Sequence, residues 1–259
     1  MITVTQAQLT AMVGGWLWPL IRIAALLSTA PALGTRAVPA RVRMVLALCI
    51  SFIVAPVLPP IAPVELVSAQ GVLITVQQVL IGAAMGFVLR LMFAIVDLAG
   101  QFLSQQMGLG FAAMVDPQNG MSSPVVSQYY LILATLLFFS FDGHLLALQA
   151  LVGSFYSLPI GVNGLSQAGI GVLMHWSSDL FLYATMISLP TATALLVVNL
   201  GYGILSRTAP QLHIFAVGFP IIVVAGVILT SVTLGGLPQH VTHLFDESLS
   251  VIQQVLQAK

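Results

Sequence analysis

The residues able to do chemistry are few. His240, His243, Asp246 and Glu247 stand at i, i+3, i+6 and i+7, a spacing that can share one helix face and bind zinc. At the start of a tail helix the same pattern reads first as a solvated polar face, so no metal and no cofactor is expected. His175 and Asp179 are four apart, enough for a hydrogen bond and nothing more specific. No GxSxG is present, and GMSSP at 120–124 has no base nearby; nucleophile–base catalysis is not expected. The ionisable groups inside apolar stretches are Arg22, Arg90, Asp97 and Asp179. Each costs about 2.5–3.5 kcal/mol at a bilayer centre, so each needs a partner or water. Arg90 and Asp97 are two turns apart on one helix face, which could serve an ion or proton relay. With no chain of carboxylates and histidines to continue it, structural pairing or a place outside the hydrocarbon is favoured.

The elements that must hold these groups are apolar throughout. The chain has 259 residues, 59% hydrophobic and 5% charged, with mean hydropathy +1.06. A soluble domain carries about 25% charged residues; seven Lys+Arg and seven Asp+Glu cannot cover a globule of this length. The fold class expected is an all-α membrane protein. Zero net charge argues against nucleic acid, which needs a basic footprint. Cys49 is the only cysteine, which excludes an intramolecular disulfide and a thiolate metal cluster. MITVTQAQLT has no positive n-region, so insertion by an internal segment is expected.

Six hydrophobic segments are expected at roughly 8–30, 41–58, 71–106, 125–158, 169–206 and 211–237, then an amphipathic helix at about 239–259. That tail repeats Val241, Leu244, Phe245, Leu249, Ile252, Val255 and Leu256 at helical spacing, a face for a partner or the membrane surface. The third segment is too long for a bilayer about 30 Å thick. The fourth is interrupted at Asp142-Gly143-His144, a turn signal that allows a helical hairpin. Pro19, Pro190 and Pro220 should each kink or break a helix. Gly82 and Gly86 form a GxxxG suited to close helix packing. Such mismatched, broken helices suit burial against other protein better than a conventional transmembrane bundle. Arg36, Arg41 and Arg43 lie in the first connection and Arg207 in the last, which places both on the cytoplasmic side by the positive-inside bias.

Between two apolar segments lies QQMGLGFAAMVDPQNG at 105–120. Gly108 and Gly110 allow unusual backbone angles, and Asp116-Pro117 favours a turn. Met107, Met114 and Met121 supply adaptable apolar side chains. Such a loop could seal a pore and yield to a passing chain; composition equally allows an ordinary buried connection.

Along essentially its whole length the chain resembles the FliR family of flagellar type III secretion export-gate subunits. The resemblance is carried by WPLIRIAALLSTAPALGTRAVPARVR at 18–43, QQVLIGAAMGFVLR at 77–90, QMGLGFAAMVDP at 106–117 and SRTAPQLHIFAVGFP at 206–220. It implies a non-catalytic subunit that closes a helical assembly with FliP and FliQ, with FlhB and FlhA as further partners, in the bacterial inner membrane at the flagellar basal body. Much of that assembly stands on the periplasmic side, contacts membrane lipid, and passes unfolded protein substrates. The resemblance further implies that Met107, Gly108, Phe111, Met114, Asp116 and Pro117 belong to a pore plug loop. It makes Arg207, Pro210, Gln211, Phe215, Gly218 and Pro220 a structural or subunit-contact motif. His213 and Asp142 depart from the family pattern, which more often has a small polar residue or Asn at the first and Asn at the second. A secondary transporter or proton channel subunit is the alternative; it would need inverted repeats and a midplane site, and no internal symmetry is visible.

Overall fold

The computed structural model describes residues 6–31, 34, 38–59, 64–66, 68–110, 124–208 and 218–258. The helices are α1 (Gln6–Thr29), α2 (Ala40–Val54, continued by a 3-10 turn at Ala55–Val57), α3 (Ala69–Gln106), α4 (Val125–Ser140), α5 (Gly143–Ser157), α6 (Gln167–Ser178), α7 (Leu180–Thr208), α8 (Phe219–Thr233) and, after a 3-10 turn at Leu234–Gly236, α9 (Leu237–Gln257). No strand occurs among the described residues, and the all-α membrane class stands.

Local chemistry sets the helix ends. Ser68 and Ser166 accept the Gly71 and Gly169 amides at 3.1 and 3.0 Å, capping donors that α3 and α6 would otherwise leave open. Pro39 and Pro124 stand at the N-caps of α2 and α4, where a missing N–H costs no helix bond. Pro220 lies in the first turn of α8. The break expected there does not occur, because proline is at home where the amide is an orphan anyway. Pro19 and Pro190 do lie inside α1 and α7, which continue through them as helix.

Four helical stretches are long and apolar enough to cross a membrane, or five if a bent pair counts as one span: Ala40–Val57, Ala69–Gln106, Gln167–Thr208, Phe219–Gln257, and Val125–Ser140 with Gly143–Ser157. Each of the six expected hydrophobic segments contains helix among its described residues, though not every one meets this measure by itself. The apolar part of α1, Val13–Thr29, is too short. At Asp142, where a helical hairpin was expected, the helix breaks between α4 and α5. Asp142 takes the left-handed conformation, φ 54°, and its carbonyl accepts the Leu145 and Leu146 amides at 2.9 and 3.1 Å. Helix restarts at Gly143.

The chain divides into two compact units. The first comprises Met1–Leu91, Asp142–Ser177 and Phe245–Lys259. Here α1 lies against α3 at Gly82 and Gly86, where a Cβ would strike the backbone of Arg22 and Leu26 and the side chains of Ala25 and Thr29. The GxxxG thus does what its spacing suggests, with α1 as partner. Gly169 of α6 meets the Val255 carbonyl of α9 in the same way. Phe245, Ile252, Val255 and Leu256 of α9 are buried, so this part of the tail stripe is covered by the chain itself and is not left open for lipid or a partner.

The second unit comprises Met92–Phe141 and Ser178–Leu244. Gly100 of α3 admits the Ser127 backbone of α4, and Phe93 meets Phe138 edge to face at 5.6 Å. Thr191 of α7 and Thr233 of α8 share a hydrogen bond of 2.7 Å.

Candidate functional site

The loop expected to matter starts from a rigid footing. The Leu109 amide donates to the Ser104 carbonyl at 3.0 Å, and the Gly108 amide donates to Gln105 at 3.0 Å. With Gly108 at φ 75°, this is a Schellman closure, which needs a residue free to enter the left-handed region. The closure ends α3 and sends the chain off its axis. Met107, one residue earlier, is 1% exposed. Its side chain fills the space a Cβ on Gly226 of α8 would need. The Asn199 side-chain amide of α7 donates to the Gln106 carbonyl at 3.4 Å. Two helices therefore hold the end of α3, α8 by a glycine gap and α7 by a polar clasp. Phe111, Met114, Asp116 and Pro117 lie outside the described residues.

The second candidate stretch leaves the same end of this unit. Asn199 is about 13 Å before the end of α7, and Gly226 about 10 Å past the start of α8, at 1.5 Å per residue. Both helices thus run on beyond the level of Met107. Gly218 is buried against the Tyr202 ring, which a Cβ would strike. That contact holds the start of α8 to α7 two turns before α7 ends. Arg207 is exposed in the last turn of α7, where a cation favours the helix dipole. Pro220 is in the first turn of α8. Pro210, Gln211, His213 and Phe215 lie outside the described residues.

Residues 13–248 match the family described as "Bacterial export proteins, family 1". The chain is 40% identical to flagellar biosynthetic protein FliR of Escherichia coli K12 over 256 residues, 99% of this chain and 98% of that protein. It is 39% identical to the protein of that name from Pectobacterium carotovorum, with the same coverage. The relative of that name in Bacillus subtilis 168 is 28% identical over 239 residues, 91% of this chain and 92% of that protein. The chain belongs to this export family.

Arg22 and Asp97 both have hydrogen-bond partners among the described residues. Arg22 is fully buried. Its Nε donates to Gln78 Oε1 at 2.7 Å, Nη1 to the Ser154 carbonyl and hydroxyl at 3.0 and 3.1 Å, and Nη2 to the Leu158 carbonyl at 3.0 Å. The guanidinium also lies 4.3 Å from the Phe155 ring centroid, a favourable cation–π distance. These partners are neutral, and two are carbonyls at the C-terminus of α5, the negative end of its dipole. Asp97 accepts the Ser127 hydroxyl and, at 3.0 Å, the Gln101 amide, while Arg90 is exposed. The two groups expected to share a face form no pair with each other. Among the described residues no three of His, Cys, Asp and Glu form a metal-holding group.

Sequence reasoning did not single out Asn199, Tyr202 or Gly226. Asn199 and Gly226 carried a signal: an amide and a glycine inside apolar helices are departures that packing or a polar clasp must explain. Which helix they would meet is a tertiary fact that spacing cannot supply.

Proposed function

We propose that the chain is a structural and gating subunit of the flagellar type III protein export channel, with no catalytic step of its own. It closes an assembly with FliP and FliQ, neighbours FlhB and FlhA, and sits in the bacterial inner membrane at the flagellar basal body with part of the assembly on the periplasmic side. Unfolded protein substrates pass through this assembly. The loop that begins at Met107 and Gly108, and includes Phe111, Met114, Asp116 and Pro117, plugs the pore. Arg207, Pro210, Gln211, Phe215, Gly218 and Pro220 shape the second loop, which contacts neighbouring subunits.

The observation that carries this reading is the footing of the first loop. A plug must be held firmly at its base while its tip yields, and Met107 is clamped at the point where the Schellman closure releases the chain. The large apolar side chains left exposed, such as Phe52 at 69% and Val232 at 75%, need lipid or neighbouring subunits to cover them.

Removing 111–117 from the assembled gate tests the plug. Resting ion conductance across vesicles should rise while the complex still purifies with FliP and FliQ. An unchanged leak in an intact complex overturns the plug; failure of the full-length chain to co-purify with those partners overturns the assembly.

A further inference from the structure

We propose that the junction of α3, α4 and α8 holds one bound water, shared by the hydroxyls of Ser104 and Thr230. Hydroxyls inside the helices of this unit ordinarily turn back on their own backbone. Thr185, Ser231 and Thr233 each donate to the carbonyl four residues earlier, at 2.7, 2.8 and 3.1 Å. Ser104 and Thr230 do not. Ser104 is fully buried and Thr230 is 6% exposed, and neither hydroxyl has a hydrogen-bond partner among the described residues. The other buried Ser and Thr hydroxyls of the unit are bonded: Ser127 donates to Asp97, Ser188 to the Thr185 carbonyl, and Thr191 shares its bond with Thr233. Burying a hydroxyl without a bond is costly, so two of them on neighbouring helices call for a common partner.

The contacts around them aim both hydroxyls at one place. Gly226 meets Met107. Thr233 bonds the Tyr130 side chain, and one turn back on α4 Ser127 meets Gly100. Helix α8 therefore runs back along α3. Ser104 stands about 4.5 Å before Met107 and Thr230 about 6 Å past Gly226, at 1.5 Å per residue, which sets the two at nearly one level. At about 100° per residue, Ser104 lies within about 60° of both Gly100, which meets α4, and Met107, which meets α8. Thr230 lies within about 60° of both Gly226, which meets α3, and Thr233, which meets α4. Each hydroxyl can donate once and accept twice, and a buried water needs at least two such polar partners. A hard cation requires several more oxygens than this junction offers.

The near-isosteric variants Ser104→Ala and Thr230→Val, singly and together in the full chain, separate a bound water from two unbonded hydroxyls by sign. With the water, either single change strands it against one hydroxyl and should lower the thermal midpoint by about 3 °C. The double variant removes both anchors and should fall no further than either single one. Without it, each change deletes an unbonded polar group, so the midpoint should rise in each variant and rise additively in the double. That result overturns the proposal, as do unchanged midpoints in both single variants or losses that add in full. A second measurement needs no variant. X-ray radiolysis makes hydroxyl radicals from bound as well as bulk water, and the Met107 side chain leans back along α3 toward Ser104. Met107 is 1% exposed and Met174 70%. Met107 should nevertheless oxidise within about tenfold of the rate of Met174, and a Met107 that stays unoxidised also overturns the proposal.

Discussion

The two halves of α3 are held by the same two devices in different proportions. Through Leu91 the helix offers Gly82 and Gly86 to α1 and Gln78 to Arg22. From Met92 onward it offers Gly100 to α4 and Asp97 to Ser127. Each half thus combines a glycine approach with a buried polar bond. In the first half the polar bond dominates: a fully buried cation gathers groups 56, 132 and 136 residues away in sequence. In the second, the carboxylate is half-buried and its partners are 4 and 30 residues away. Distant segments need a directional, many-armed tie, because each brings its own chain entropy. A hairpin of neighbouring helices already meets cheaply, and close packing can finish the task.

The largest effect should follow from cutting the many-armed tie. Arg22→Met leaves Gln78 Oε1 and the Leu158 carbonyl without their donor, and an unsatisfied buried polar group costs about 1–3 kcal/mol. A loss of about 3 kcal/mol or more is expected, read as a fall in the thermal unfolding midpoint of the detergent-purified chain. Arg22→Lys should recover only part of it, since an ammonium cannot span the fork. A loss under about 1 kcal/mol for Arg22→Met would break the contrast between the halves.

Next comes close packing at the end of the second half. Gly226→Val should displace Met107 and cost about 1–3 kcal/mol by overpacking. Met107→Ala in the same chain should relieve the clash and return part of that stability, which a double-mutant cycle would measure. Independent effects at the two positions would separate the footing of the loop from α8.

What could be read in advance follows the same division. Apolar runs and prolines placed most helices, and GxxxG announced a close approach, because these depend on neighbours along one helix. Partners were illegible: nothing in Gly82 or Gly86 names α1, and nothing in Arg22 names the end of α5. The stripe of α9 showed that it would be covered but not by what, and part of it is buried in its own unit. Proline did not break the helix at Pro19 or Pro190, and at Pro220 the helix start could not be located closely enough to tell an interior position from a first turn. Of the candidate site, Met107 and Gly108 were legible from composition and resemblance; the clasp of Asn199 and the gap at Gly226 were not.

A smaller effect tests whether the second half's carboxylate is only a tie. Asp97→Asn keeps shape and one acceptor but sets an amide against Gln101 or Ser127, for a cost of about 1 kcal/mol. Flagellar export, read as swimming expansion in soft agar and as secreted flagellin, should stay near wild type. A loss of about tenfold or more in export from a chain that is stable and assembled would give Asp97 a titrating role.

The smallest effect belongs to the corner that leaves the second half's neighbour α4 and begins α5. Asp142 holds φ 54° there, in a region that asparagine and aspartate tolerate better than other side chains. Its side chain makes no capping bond to α5, so Asp142→Asn exchanges one tolerant residue for another and should shift stability by less than about 0.5 kcal/mol. Asp142→Ala retains the backbone demand without that tolerance and should cost about 1 kcal/mol. Equal thermal midpoints for the alanine and asparagine variants would mean that the residue at the bend does not set the corner.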